Sequence, residues 1–264
     1  MVDFIDKYNQ IIVIGPNSSL AKFVLHELSL NKLKLFGIYN NRKDASLSEV
    51  FLEENLIPLS YIQENLKDIQ DFIPLCLDKN VLILNFSGFF GAVNSFETAD
   101  PDEILETVHI NLDGFIRAAK MLSLYKSNSL MISFCGAGVG GGALDDSSLG
   151  YLTAKAGLVL LNEALDNQLK DLGLRLCLLS PGAFPSQMQT AVASAPEGSI
   201  SSQRRDQARN VLAQGPQHPK KIIEMLANLI RNPEIAGGRL WSAQHDDFKV
   251  SLSPGDFGKL RRQY

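Results

Sequence analysis

A chain of 264 residues, 45% hydrophobic and 20% charged, is long enough for one sizeable α/β domain or two small ones and has the composition of an ordinary globular protein. Its net charge of −4 speaks against general nucleic-acid binding, whose footprint is a basic patch. The three cysteines, Cys76, Cys135 and Cys177, are odd in number and lie in or beside apolar runs. That fits reduced core thiols better than a disulfide framework or a zinc site.

No secretory signal is expected, because Asp3, Asp6 and Lys7 open the chain and the apolar run Ile11 to Ile14 is too short for an apolar signal core. The longest apolar tract, Val81 to Val93, contains Asn85 and two glycines, Gly88 and Gly91. It falls short of the roughly 20 residues a membrane span needs. A soluble, cytoplasmic protein with no membrane partner is the expectation.

Ile11, Ile12, Val13 and Ile14 form a β-branched run ended by Gly15, the pattern of a strand buried on both faces of a parallel sheet. Pro16, Asn17, Ser18 and Ser19 then turn the chain into a helix carrying Leu20, Phe23, Val24, Leu25 and Leu28. A second strand over Leu33 to Tyr39 completes a βαβ unit. A short third strand at Ile57 to Leu59, a helix around Ile62 to Phe72 and a fourth strand over Val81 to Phe86 follow. A long helix starts near Pro101, with Asp102 and Glu103 favourable in its first turn, and runs to about Tyr125. Ser129 to Cys135 is a fifth strand, the stretch from Gly150 to Leu161 a tightly packed helix, and Leu174 to Leu179 a sixth strand.

From Pro181 to His218 the periodicity is weak. A segment this long without strong structure reads as a substrate lid or binding loop, over about residues 183–218. Pro219 to Ile230 is a short amphipathic helix, Gly237 to Trp241 a turn entering a last strand, and Gly255 to Tyr264 a basic tail. The alternation predicts a single Rossmann-type domain over residues 1–264. Its doubly wound parallel β-sheet of seven strands sits in a three-layer α/β/α arrangement and binds ligand at the carboxyl ends of the strands.

The turn after the first strand is the first test of a dinucleotide site. Of a three-glycine fingerprint only Gly15 is present, with Ser19 and Ala21 at the later places. Asn17, Ser18, Ser19 and Leu20 complete the candidate anion site, the serine hydroxyls being able to donate to phosphate and to cap the helix. At the end of the second strand Asn40 is neutral, and Arg42 and Lys43 follow. A carboxylate there serves a ribose 2′-hydroxyl, whereas a neutral side chain with a nearby arginine serves a 2′-phosphate, so NADP is favoured over NAD. Further on, Tyr151 and Lys155 at i and i+4 share one helix face. An ammonium beside a phenol favours the phenolate and brings it toward the working range of a general acid and base.

In order and spacing the chain resembles the short-chain dehydrogenase/reductase family over almost its whole length. Gly15 to Ala21 matches its glycine-rich turn imperfectly, and Asn85, Phe86, Ser87, Gly88 matches its Asn-Asn-Ala-Gly stretch with two substitutions. Asn111 falls where the family carries its active-site asparagine, Tyr151 and Lys155 fit its Tyr, any three, Lys signature, and Pro181 and Gly182 fit the Pro-Gly that lies against the nicotinamide. The resemblance implies hydride transfer between a nicotinamide and a small-molecule carbonyl or alcohol. In that mechanism Tyr151 is the general acid and base, Lys155 lowers its pKa and holds the ribose, and Asn111 positions a water. A homodimer or homotetramer is also implied, with contacts from the long helix and the Tyr151 helix, for which Phe115, Ala119 and Leu158 to Leu161 are candidates.

The departure is the family's active-site serine. Aligning the strand ends puts Cys135 at its place, with Gly136 the next candidate, and a thiol is a weak donor. Ser133, Ser147 or Ser148 could supply a hydroxyl instead, the last two from beside the glycine-rich loop Gly138 to Gly142. Arg204, Arg205 and Arg209 could meet an anionic substrate, and Asp145 and Asp146 a polar one. The histidines His26, His109, His218 and His245 show no metal-ligand spacing, and no metal is expected. Two rivals stand beside the oxidoreductase: a dinucleotide-binding sensor or structural subunit with lost or weak catalysis, and a sugar-nucleotide-modifying enzyme, for whose larger substrate domain the chain has little room.

Overall fold

The computed structural model describes residues 5–30, 32–39, 47–58, 80–125, 128–136 and 148–248. Outside them lie Leu59, the expected helix at 62–72, Asn40, Arg42, Lys43, Cys76, the loop 138–142, Asp145, Asp146, Ser147 and the basic tail.

Seven strands, β1 (Gln10–Ile14), β2 (Leu35–Tyr39), β3 (Leu56–Pro58), β4 (Val81–Asn85), β5 (Ser129–Phe134), β6 (Leu174–Ser180) and β7 (Leu240–Ser242), form one sheet in the order 3-2-1-4-5-6-7. Every pairing is parallel. The order reverses between β1 and β4, so the ligand-binding crevice of a doubly wound sheet falls there. Alternation along β1 divides the core. Ile11 and Val13 face Val24 and Leu25 of α1 (Ser19–Leu28) and Leu226 and Ile230 of α7 (Pro219–Arg231). Ile12 and Ile14 face Phe115 and Leu122 of α3 (Pro101–Leu122) and Leu158 of α4 (Leu149–Leu169). Among the described residues are also two short helices, α2 (Leu47–Val50) and α8 (Pro233–Ala236), with α5 and α6 given below.

Helix starts follow local chemistry. The Ser18 hydroxyl oxygen accepts from the Ala21 amide at 3.1 Å, capping α1. Asp100 does the same for α3, accepting from Asp102 N–H, with Pro101 in the first turn. Two corrections concern expected interface and lid residues. Phe115, Ala119 and Leu158 are buried against the sheet and offer nothing to a partner, while Leu160 is 63% exposed. The 183–218 segment is not an irregular loop: it carries α5 (Gln187–Ala193) and α6 (Ser202–Gln214). Helix α6 escapes an apolar-period reading because Ala208 is its one buried residue. Its ends are set by Ser201, whose hydroxyl accepts from Arg204 N–H, and by Gly215 at φ +83°, whose N–H donates to Val211 O.

No described helix is long and apolar enough to cross a membrane, and among the described residues no group of three or more His, Cys, Asp or Glu could hold a metal ion. Cys135 and Cys177 are free and buried.

Candidate functional site

A cleft of about 1930 Å³ opens at the carboxyl ends of the strands. This is larger than a typical single-ligand pocket of about 300–1,000 Å³ and leaves room for two molecules at once. On one side the ends of β1, β2 and β4 close around Gly15. Its N–H donates to Ile38 O at 2.9 Å, and Phe86 N–H donates to Ile14 O at 2.8 Å. Gly15 adopts φ +73°, and a Cβ there would stand 3.1 Å from Ser87 N, so a side chain would be strained by the backbone and crowded by Ser87. Asn17, Ser18, Ser19 and Leu20 line the cleft beside it. The Ser18 hydroxyl oxygen already accepts from the helix, which leaves its proton to offer outward.

Asn85 organises the end of β4. Its Oδ1 accepts from Ser87 N–H at 3.0 Å and from the Ser87 hydroxyl at 2.6 Å, and its Nδ2 donates to Ser133 Oγ at 3.2 Å across to β5. Ser133 is thereby occupied behind the wall, 2% exposed, and does not face the cleft. Ser87 and Gly88 reach the cleft surface. Gly88 lies where an added Cβ would be 3.5 Å from Lys155 Nζ and 3.7 Å from Asn111 Oδ1. On the far wall Gln244 Nε2 donates to Pro181 O at 2.9 Å, and Gly182 adopts φ +84° against the Gln244 side chain.

Tyr151 and Lys155 occupy the first two turns of α4. Gly150 lets that turn press onto α3, since a Cβ there would be 2.7 Å from Ile104 O. Lys155 Nζ stands 5.0 Å from the Tyr151 ring centroid, and the Phe90 ring meets the Tyr151 ring edge-on at 5.2 Å. Asn111 does not line the cleft. Its Nδ2 donates to Phe89 O at 2.7 Å and Thr107 O at 2.8 Å, while its Oδ1 accepts from Phe89 N–H at 3.3 Å. It fastens the 89–90 segment, and with it Phe90, to α3.

The serine-equivalent place goes to Gly136, not Cys135. An added Cβ on Gly136 would collide with the Tyr151 hydroxyl, and the Gly136 amide points at that oxygen. The Cys135 side chain is fully buried in the helix-facing core. Burial pushes its thiol up to about 11 against the pull of Lys155. The sequence reading reached Cys135 by counting from the strand end, but β5 stops at Phe134, one residue short of the predicted end. Of the hydroxyl alternatives, Ser148 is buried just before α4 and lines the cleft.

The electrostatics differ from expectation too. Burial raises the Tyr151 phenol well above its ordinary value, the Cys135 sulfur adds to this, and the Gly136 amide works against both. Burial likewise lowers the Lys155 ammonium. With the ammonium over the ring face, desolvation outweighs any help it gives the phenolate. Phe90 and the polar face of α6 were missed at the level of sequence. The only available signals were the apolar tract Val81 to Val93 and the Ser201 and Gly215 caps.

By sequence the chain matches no protein-family model and no curated protein. Solved structures do match its shape. A short-chain dehydrogenase/reductase from Saccharomyces cerevisiae superposes with TM-score 0.73 at 15% identity, over 93% of this chain and 100% of its own. Levodione reductase gives 0.66 at 14%, over 89% and 96%. A short-chain dehydrogenase from Leptospira borgpetersenii, solved with NAD+ bound, gives 0.63 at 15%, over 91% and 93%. At such identities the likeness is one of fold, and the fold of this chain is that of the short-chain dehydrogenases/reductases.

Proposed function

We propose that this protein is an NAD(P)-dependent oxidoreductase of the short-chain dehydrogenase/reductase family acting on a carbonyl or alcohol substrate. The observation that carries the reading is the pairing of Tyr151 and Lys155 on one face of α4 at the carboxyl ends of β4 and β5, with Asn111 fastening the adjoining 89–90 segment against them. A bound nicotinamide dinucleotide would supply hydride in one direction and accept it in the other. Gly15, Ser18, Ser19, Ser87, Gly88 and Gly182 are the residues that would hold it, and NADP is favoured over NAD by Asn40 and Arg42.

The protein's own part is proton movement. Tyr151 Oη gives its proton to the substrate oxygen as a carbonyl becomes an alcohol and takes it back in reverse. Lys155 places positive charge beside the phenolate formed at that moment, when the substrate and cofactor have displaced water and electrostatic interactions strengthen. The Gly136 amide offers a fixed donor to the same oxygen.

A second reading, a dinucleotide-binding protein without catalysis, draws on Gly136, which brings no hydroxyl to the substrate oxygen. Fluorescence titration with NADPH and NADH, followed by a carbonyl screen monitored by nicotinamide absorbance, separates the two. Binding with turnover supports the oxidoreductase, binding without turnover the second reading. A folded protein that binds neither cofactor would falsify both.

A further inference from the structure

Helix α6 sorts its side chains in an unusual way. All four of its carboxamides, Gln203, Gln207, Asn210 and Gln214, line the cleft, at spacings of four, three and four that place them on one narrow face. Three of its four charged residues, Arg205, Asp206 and Arg209, do not. Arg205 donates to Pro196 O at 2.8 Å, and Arg209 pairs with Asp206 at 3.5 Å away from the cleft, while the four amides are exposed within it. A helix face that merely met water would have no reason to separate amides from charges, since both are well solvated there.

The helix is also tied to the wall that carries the phenol. Ala208 packs with Val192 and Ile200 in a small separate core, against which Phe90 and Val93 rest, and Phe90 touches Tyr151. The amide face and the phenol therefore belong to one continuous cleft.

Building on the oxidoreductase reading, we propose that the substrate is a neutral polyhydroxy compound, a carbohydrate or polyol, whose hydroxyls are read by the Gln203, Gln207, Asn210, Gln214 face of α6. A carboxamide both donates and accepts, as a hydroxyl does, so the two pair in either sense. An apolar substrate would strip water from these amides and return no hydrogen bond. An anionic one would meet a single cation on this face, Arg204, which already donates to Gln189 Oε1 at 3.4 Å. The stripe spans about 16 Å, enough for more than one sugar ring.

The test uses protein loaded with NADPH or NADH for the carbonyl probes and with NADP+ or NAD+ for the alcohol probe, assayed by nicotinamide absorbance and titration calorimetry. The probes are D-glucose, maltose and D-mannitol, with cyclohexanone and 2-octanone as apolar probes and D-glucose 6-phosphate as the anionic one. The expected result is saturable binding and turnover with members of the polyhydroxy set. Gln207→Leu and Asn210→Leu each raise KM about tenfold, the size of a lost hydrogen bond, with kcat within about twofold. Arg209→Ala on the far side of the helix changes neither. Preference for the apolar or the phosphorylated probes, no binding of any polyhydroxy probe, or an unchanged KM in both amide variants overturns the proposal. Failure of the underlying reading shows earlier and separately, as absence of cofactor binding before any substrate is added.

Discussion

The Tyr151 hydroxyl rests on the backbone of Gly136, in space that any side chain at position 136 would take. A glycine at this place lets a main-chain N–H, fixed by the end of β5, stand against the phenol oxygen. Such a donor costs no reorganisation as charge develops on its partner. Gly136→Ala is therefore expected to displace the phenol and lower turnover at least about tenfold while leaving cofactor affinity unchanged, since Gly136 lies on the substrate side of the cleft. Steady-state kinetics beside a fluorescence titration checks both halves. Full activity in Gly136→Ala would mean that the phenol works from another position.

Tyr151→Phe removes only the hydroxyl, and turnover should fall by about 10²–10⁴-fold with cofactor binding retained. The pH dependence carries a sign. Burial holds the phenol protonated well above its ordinary range, so carbonyl reduction, which needs the proton, is not limited by it at neutral pH. Alcohol oxidation needs the phenolate, whose fraction grows as pH rises, so the rate in that direction should climb through the alkaline range. A pH profile of each direction tests this; an oxidation rate that falls from neutral to alkaline pH contradicts it.

How much of this was open to the sequence depended on where the signal lay. The β-branched run Ile11 to Ile14 and the Tyr151, Lys155 spacing announced the sheet and the helix face, because burial and helical period are written directly in residue type. Gly136 was only the second choice for the serine place, because a one-residue difference at the end of β5 decides which side chain meets the cleft. Helix α6 stayed hidden for the opposite reason. Of its residues only Ala208 is buried, so the 3.6-residue apolar rhythm that reveals α7 is missing. Burial around Tyr151 depends on Phe90, which tertiary contacts through Asn111 and the Val192, Ile200, Ala208 cluster bring near.

Lys155 is 2% exposed and its ammonium is lowered by burial. A folded-state value below the unfolded one means that the native state binds fewer protons between the two. Stability therefore rises with pH across that window and is diminished below it. Lys155→Met removes the buried charge while keeping the stem, and should raise the thermal midpoint by ~2–4 °C for each kcal/mol relieved, with turnover lost. Calorimetric melting of both proteins at neutral pH tests the sign; a lower midpoint for the variant would show that the charge is compensated in the fold.

Asp166 joins three elements. Its carboxylate accepts from Arg175 Nε at 3.0 Å, Arg175 Nη2 at 2.9 Å and the Leu176 amide at 2.8 Å, while Arg175 Nη1 donates to Glu234 O at 2.9 Å. The pair therefore ties α4 to β6 and α8 at a site where Asp166 is 4% exposed. Asp166→Ala leaves the guanidinium and an amide without their acceptor, at a cost of about 3–5 kcal/mol. Urea unfolding should show that loss as a lower midpoint with an unchanged slope. A loss below about 1 kcal/mol would mean that water replaces the carboxylate.

Helices α3 and α4 pack side by side, and their outer faces carry Ile116 at 47% and Leu160 at 63% exposure. A single exposed leucine is ordinary, but exposed branched side chains on two adjoining long helices form a patch suited to a second copy of the same surface. The protein is accordingly expected to be a homo-oligomer joined through this face. Leu160→Asp places a carboxylate against its own image across a twofold contact, where neither charge finds a partner. Sedimentation at micromolar concentration should give a mass of at least twice 29.0 kDa for the natural chain and a monomer for the variant, with the circular dichroism unchanged. A natural chain that sediments as a monomer at that concentration removes this face as an interface, and an oligomer that survives Leu160→Asp moves the contact elsewhere.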